Sequence, residues 1–354
     1  MSKAIHILGM MSGSSLDGMD LGLIRFQKVG ASDIPQFDWV ATDHFAYSNF
    51  WVQKLRGIHD LSIADWMKWD VEFCRYVVRK LNNFKKWVDK ADIIGWHGHT
   101  SAHHPNEGWS LALGNGQTLA TTLGKPVVAE FRRKDVAQGG QGAPLAPIVD
   151  AHFFPEVDVA INLGGITNMT LLSQGRAAFD VCGCNQVLNH LAQSLGASMD
   201  KDGQWAASGT VQTEILSSLN SWSYLSLSAP KSLDNQSISH FYGRVLSEFE
   251  ADSKDLLATV VEHIADAIHM HLDRNKKQQI LLSGGGARNL FLIRRLREKA
   301  PQHDWDLAPG LWLDYKEAFL MAYMAYRFIN DKNNVFSTWT GGARDHCGGT
   351  IYNP

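Results

Sequence analysis

Three short stretches place glycine and hydroxyl residues directly after an apolar run: MSGSSLDG at 11–18, LGGITN at 163–168 and SGGGARN at 283–289. Glycine lets backbone N–H groups come close to an anion, and serine hydroxyls add further donors. A phosphate at a hairpin tip or a helix N-terminus needs little else. The three loops are Ser12–Gly18, with Gly13 and Gly18, Gly164–Asn168, with Gly164 and Gly165, and Ser283–Asn289, with Gly284, Gly285 and Gly286. No G-x-x-x-x-G-K-[ST] is present, and GGGARN lacks the G-x-G-x-x-G spacing of a dinucleotide fold. A fourth stretch, FDVCGCN at 179–185, raises a different question. It sets Asp180 two residues ahead of the pair Cys182 and Cys184, so either the thiols or the carboxylate carries the chemistry. C-x-C without a second ligand pair is not a zinc pattern, and four cysteines in 354 residues are too few for a disulfide scaffold. Reduced small side chains packed in a loop are the expectation for the cysteines.

The elements that must hold these loops follow from apolar periodicity. Residues 4–10 and 19–26 form strand, polar turn, strand, and residues 157–172 repeat that layout around Gly164–Gly165. A helix is expected over 62–90, with Ser62 as N-cap and Ile63, Trp66, Trp69, Phe73, Val77 and Leu81 at helical spacing. Further helices are expected over 186–195, 211–219, 238–249, 255–274, 290–299 and 316–329, the last apolar on most sides. The Gly- and Pro-rich segment 132–147 is a candidate hinge or binding loop. The serine-rich segment 217–239 is expected to be a mobile insertion.

Composition limits the partners. Hydrophobic content of 45% and charged content of 19% are those of a soluble globular protein, and 354 residues suit two domains or one large α/β unit. A net charge of −3 with no long Lys/Arg cluster argues against nucleic acid. No run of about 18 apolar residues occurs, so no membrane span is expected. The N-terminal residues lack a secretory pattern, which makes a cytoplasmic location the expectation.

Two hairpin phosphate loops, one per half, with a third glycine loop late in the second half, resemble the actin, hexokinase and Hsp70 superfamily. Within it the chain resembles the anhydro-N-acetylmuramic acid kinases of cell-wall recycling. The resemblance is carried by GMMSGSSLDGMD (9–20), GWHGHTSAHHP (95–105), FRRKDVAQGGQGAPLAP (131–147), INLGGITNMT (161–170), LLSGGGARN (281–289) and DYKEAFLMAYMA (314–325). It implies a two-lobed actin-like (ribonuclease H-like) α/β fold with ATP between lobes at 1–131 plus 330–354 and 132–329. It also implies a reaction in which water opens the 1,6-anhydro ring while ATP, with Mg2+, phosphorylates the freed O6. A kinase for another sugar, or a low-activity relative that senses nucleotide and sugar, are the alternatives.

Site residues carry over on these motifs. Asp180 matches the base in a loop written F-D-T-G-P-G-N, capping of the following helix being its other use. Ser12–Ser15, Asp17 and Gly18 match one phosphate loop, Gly164, Gly165 and Asn168 the other, and Gly284–Gly286 flank the adenosine. Asp17 and Asp20 either assist Mg2+ or hold the loop. His97, Thr100, Arg132, Asn185 and Glu317 match sugar-side positions, with an Arg132–Asp135 ion pair as the competing role for Arg132. A metal site in the cluster His97, His99, His103, His104 has no family counterpart, and no protein-held metal is expected beyond the nucleotide's Mg2+. A homodimer is what the family suggests. This chain departs from the pattern at Val181–Cys184, at Asn189 and at PKSLDNQ (230–236), where the family reads P-K-S-x-G-R-E.

Overall fold

In the computed structural model, which describes residues 4–13, 15–58, 61–173 and 177–354, thirteen strands and a set of mostly short helices alternate along the chain. The strands are β1 (Ile5–Ser12), β2 (Gly18–Gln27), β3 (Gln36–Ala46), β4 (Ile93–Trp96), β5 (His99–His104), β6 (Trp109–Leu113), β7 (Val127–Ala129), β8 (Val159–Leu163), β9 (Ile166–Leu171), β10 (Ala177–Gly183), β11 (Gln279–Ser283), β12 (Asp304–Leu307) and β13 (Thr350–Tyr352). Two compact units result, one of Met1–Phe153 with Tyr315–Pro354 and one of Phe154–Asp314.

Each unit is built on the same plan. In the first, the sheet order is β13-β7-β4-β1-β2-β3, with β1–β2–β3 antiparallel and β1, β4 and β7 parallel. In the second it is β10-β9-β8-β11-β12, with β8–β9–β10 antiparallel and β8, β11 and β12 parallel. A meander of three followed by two parallel crossovers is the half of an actin-like fold, and it occurs twice. The parallel crossovers need helices between the strands, which the amphipathic segments supply. Both expected hairpins form with their glycine loops at the tips.

The sequence-drawn lobe boundaries, at 131/132 and 329/330, differ from the observed divisions at 153/154 and 314/315. The reason is packing in the first unit. Gly22, Gly9 and Gly95 are cross-strand neighbours on β2, β1 and β4, and they clear a channel for the helix Trp312–Ile329. A Cβ on Gly9 would fall 1.9 Å from the Ala318 carbonyl oxygen, and one on Gly95 would fall 2.2 Å from that of Met321. Leu8, Met10 and Trp96 point to the opposite face, where Phe73, Cys74 and Val77 of the helix Ile63–Leu81 complete a second apolar layer. Alternation along β1 therefore buries both faces of the sheet.

Two further expectations change. The helix expected over 62–90 breaks into Ile63–Leu81, a 3-10 turn Asn82–Phe84, and Lys85–Lys90. Two successive asparagines compete for backbone hydrogen bonds and weaken the helix there. The serine-rich segment 217–239 is built into the second unit, where Leu219, Leu225, Leu233 and Ile238 enter its core between the serines. Among the described residues no helix is long and apolar enough to cross a membrane.

Gly9→Ala and Gly95→Ala should each cost about 2 kcal/mol or more, because the helix backbone cannot retreat. Gly243 lies in the helix Asn235–Ser247 with open space beyond its Cα. Gly243→Ala should instead raise stability by about 0.5 kcal/mol. Thermal unfolding of the three variants gives the comparison, and a Gly95→Ala protein melting with wild type would refute the channel.

Candidate functional site

In the first unit the loop between β1 and β2 begins at Ser12, which is buried in a polar chain. The Tyr47 hydroxyl donates to Ser12 Oγ at 2.6 Å, and Ser12 Oγ lies 3.0 Å from His99 Nδ1. Burial lowers the His99 pKa to about 4, so the ring is neutral. Ser14 lies outside the described residues. Ser15 Oγ donates to Asp17 Oδ1 at 2.5 Å, and Leu16 between them adopts φ 59°, a strained value for a leucine at a loop tip. At Gly18 a Cβ would meet the Phe45 carbonyl oxygen at 2.3 Å, so β3 can lie against the loop only because no side chain is there.

The carboxylates gather beside this loop. His44 Nδ1 donates to Asp20 Oδ1 at 2.8 Å, and this hydrogen bond raises the His44 pKa. Glu317, one turn into the long helix, has Oε2 4.0 Å from where a Gly13 Cβ would stand. Burial and then Asp20 raise its pKa, with Asp17 adding to the effect and Lys316 and Arg132 opposing it. A buried pair, Lys316 Nζ to Asp150 Oδ1 at 2.9 Å, anchors the helix end that carries Glu317. Oxygen donors of like charge in one another's field are the chemistry a hard divalent cation takes, and Mg2+ needs only one or two carboxylates when phosphate oxygens supply the rest.

The Arg132 guanidinium is held from two sides. Its Nη1 donates to the Gly142 carbonyl at 2.6 Å and its Nε to His97 Nε2 at 3.3 Å. His97 Nδ1 in turn donates to the Gly98 carbonyl at 2.9 Å, which leaves Nε2 as the acceptor. Burial, then the Arg132 charge, lower the His97 pKa to about 3. His97 thus serves Arg132. The competing ion pair with Asp135 does not form, because Asp135 accepts from Gly142 N at 2.7 Å and Thr340 Oγ1 at 2.7 Å. This explains the GGQG run: a Cβ on Gly140 would fall 2.2 Å from Asp135 Oδ2, and Gly139 and Gly142 have positive φ. The loop wraps Asp135 and presents Gly142 O to Arg132. Thr100 lies on β5 opposite Ala112, beside a bulge. The four histidines of 97–104 take separate partners, His103 at Ser110 Oγ and His104 against the Trp109 ring at a tilt of 33°.

In the second unit Ser283, Asn162, Asn168 and Asp180 are cross-strand neighbours on β11, β8, β9 and β10, one polar row on one sheet face. Asp180 ends the row. The pairing shifts between Asp180 and Cys182, inserting Val181 as a bulge that turns Cys182 toward Thr167 on the other face. Cys182 and Cys184 are therefore core residues, free and buried, and burial pushes the Cys184 thiol up to about 11 and that of Cys182 higher. Neither is a thiolate at neutral pH. The expected loop is partly strand, and Gly183 fits where a Cβ would meet Val187, Ile238 and Tyr242 at 2.8–2.9 Å.

The Gly164–Gly165 turn aims its carbonyls at the helix Asn185–Gln193. Gly165 O accepts from Cys184 N and Gln186 N, and Gly164 O from Asn185 N. The helix begins after Cys184, so Asp180 is not its cap. Asn185 donates from Nδ2 to Leu163 O at 3.0 Å, and its Oδ1 would lie 3.0 Å from a Gly286 Cβ. It ties the second glycine turn to the third, where Gly284 (φ +82°) would place a Cβ 2.5 Å from Asn162 Oδ1. Asp180 itself is clamped by the segment 224–233: Asp180 N donates to Lys231 O at 3.1 Å, Tyr224 Oη to Asp180 O at 2.8 Å, and Leu233 N to Asp180 Oδ2 at 2.9 Å. Sequence reasoning missed this clamp. Its signal was PKS at 230–232, shared with the resembled family.

The sequence profile of the anhydro-N-acetylmuramic acid kinase family matches residues 5–354. Curated relatives with that name include one from Hahella chejuensis, 34% identical over 347 residues and 91% of each chain, and one from Shewanella frigidimarina, 31% identical over 362 residues and 97% of each. Similar solved structures include component A of (R)-2-hydroxyglutaryl-CoA dehydratase from Acidaminococcus fermentans, 14% identical with a TM-score of 0.42, covering 91% of this chain and 98% of that one. The activator of 2-hydroxyisocaproyl-CoA dehydratase from Clostridium difficile with bound ADPNP follows, 15% identical with a TM-score of 0.41, covering 91% of this chain and 94% of that one.

His97, His99 and His263 are buried with pKa values near 3, 4 and 4. Below pH about 6.5 the unfolded chain takes up protons that the folded one refuses, so each costs up to about 1.4 kcal/mol of stability per pH unit as the pH falls toward 4. The melting temperature should drop between pH 7 and pH 5, and His99→Gln should flatten that slope. An equal slope in the variant would show that His99 is not held neutral.

Proposed function

The chain belongs to the anhydro-N-acetylmuramic acid kinase family, and on that premise we propose that it phosphorylates 1,6-anhydro-N-acetylmuramic acid at O6 with ATP, giving the 6-phosphate and ADP. Asp180 takes a proton from water, and the hydroxide adds to the anomeric carbon. The bond from that carbon to O6 breaks, and O6 attacks the γ-phosphorus as ADP leaves. A positioned carboxylate suits the first of these steps, and phosphoryl transfer asks mainly for placement and charge stabilisation. Ser12, Gly13, Ser15, Gly164, Gly165 and Asn168 are the phosphate-side residues, and Gly284–Gly286 the adenosine-side ones. Asp17 and Asp20 are the carboxylates that would hold Mg2+, which when bound neutralises phosphate charge. Arg132, presented by Gly142 and His97, suits the lactyl carboxylate of the sugar, with Glu317 and Thr100 on the same side. A cytoplasmic homodimer is part of the same proposal.

The observation that carries this reading is Asp180 at the end of the polar row, clamped through its backbone and one carboxylate oxygen. The departure at Cys182 is compatible with an active kinase, because the bulge turns that side chain to the core on the side away from Asp180.

The wild-type protein should release ADP from ATP only when the anhydro-sugar is present. Asp180→Asn should lose at least about 10²-fold in kcat, and Arg132→Gln should raise KM for the sugar while sparing KM for ATP. Coupled ADP assays supply all three readings. A wild type without sugar-dependent turnover refutes the kinase reading.

A further inference from the structure

The clamp on Asp180 is a closed circuit of hydrogen bonds. Tyr224 Oη donates to the Asp180 carbonyl, and Lys231 Nζ donates to the carbonyls of Tyr224 and Leu225 at 3.0 and 3.1 Å. The Lys231 carbonyl accepts from Asp180 N, and Leu233 N reaches Asp180 Oδ2. β10 is an edge strand, whose outward N–H and C=O would otherwise go to water. At Asp180 both are taken by one short segment. Lys231 is 5% exposed, a cost accepted only where a buried cation is well partnered. Its ammonium lies over the Tyr224 ring at 4.6 Å and the Phe179 ring at 5.5 Å.

We propose that Lys231 and Tyr224 are positioning residues for Asp180: Lys231 closes the turn that brings the Tyr224 hydroxyl and the Leu233 N–H to Asp180, and places a cation in the field of its carboxylate. The proposal rests on Asp180 as the base. Among the described residues, the titratable groups around Lys231 are Asp180 and Cys182 on β10, Tyr224 on a 3-10 turn, Ser223–Ser226, and His271. Burial lowers the pKa of Lys231, while Cys182 and Asp180 raise it. His271 is neutral, lowered to about 4 by burial and then by Lys231, and the Cys182 thiol and Tyr224 hydroxyl are pushed up by burial. Asp180 is the carboxylate of this set, and it and Lys231 favour each other's charged form. Neither Lys231 nor Tyr224 donates to the substrate in this scheme, so their loss should act on turnover and not on nucleotide affinity.

Tyr224→Phe removes one hydrogen bond and keeps the ring packed on Trp222. It should lower kcat about tenfold with KM for ATP unchanged and the pH profile in place. Lys231→Met keeps the apolar stem and removes the cation. It should lower kcat about 100-fold and move the acid limb of the kcat/KM profile up by about one pH unit. Lys231→Arg should hold the limb at its wild-type position. A purely structural lysine would lower activity equally at every pH, and that result in Lys231→Met, like wild-type kinetics in it, overturns the proposal. If Lys231→Met does not fold, Tyr224→Phe decides: a lowered kcat supports the clamp, and wild-type kcat refutes it. Asp180→Asn, assayed in parallel, separates the two ideas. Its inactivity beside fully active Lys231 and Tyr224 variants removes the clamp and leaves the base, whereas turnover surviving in Asp180→Asn removes both.

Discussion

The first unit depends on how closely a helix backbone can approach a sheet. The helix Trp312–Ile329 comes within touching distance of β1 and β4 because Gly9 and Gly95 stand next to each other on those strands. That contact draws residues from the far end of the chain into the unit that contains the first glycine loop. It also sets Lys316 on Asp150 and brings Glu317 to the loop tip beside Gly13. A buried ion pair of this kind stabilises little by itself, but breaking it would leave an uncompensated charge, so it locks the helix in one register. The electrostatics around Glu317 then follow from where the helix must lie.

The second unit solves a different problem, an open sheet edge at Asp180. β10 has a partner on one side only. A bulge at Val181 separates the two duties of the strand, sending Asp180 to the polar row and Cys182 to the core. The segment 224–233 closes the open side with a circuit around the Lys231 ammonium. The cysteines, which look like chemistry when the sequence is first met, are apolar filling behind the aspartate.

The first unit uses buried polarity twice in the same way. Tyr47, Ser12 and His99 form a chain under the first loop, and His97 orients Arg132 with its one acceptor nitrogen. Both histidines stay neutral because burial outweighs any gain from charging. A protonated His97 could not accept from Arg132, so desolvation and the guanidinium both keep the ring neutral, while the Gly98 carbonyl sets its tautomer.

Much of this was legible in the sequence. Alternating and apolar runs around glycine turns announce two hairpins, one in each half, and the motifs at 9–20, 131–147 and 179–185 mark the residues worth watching. Local chemistry determines these features, since turns and caps depend on neighbours in the chain. Tertiary structure decided the rest. Whether Arg132 pairs with Asp135 or with His97 depends on the GGQG loop wrapping Asp135, a packing fact. Where the first unit ends depends on a helix finding three glycines from separate strands. That Lys231 guards Asp180 could not be read from residues 51 positions apart, because an edge strand does not record in its own sequence what will cover it. Sequence specifies which groups are present; the close approach of distant backbone specifies which of them meet.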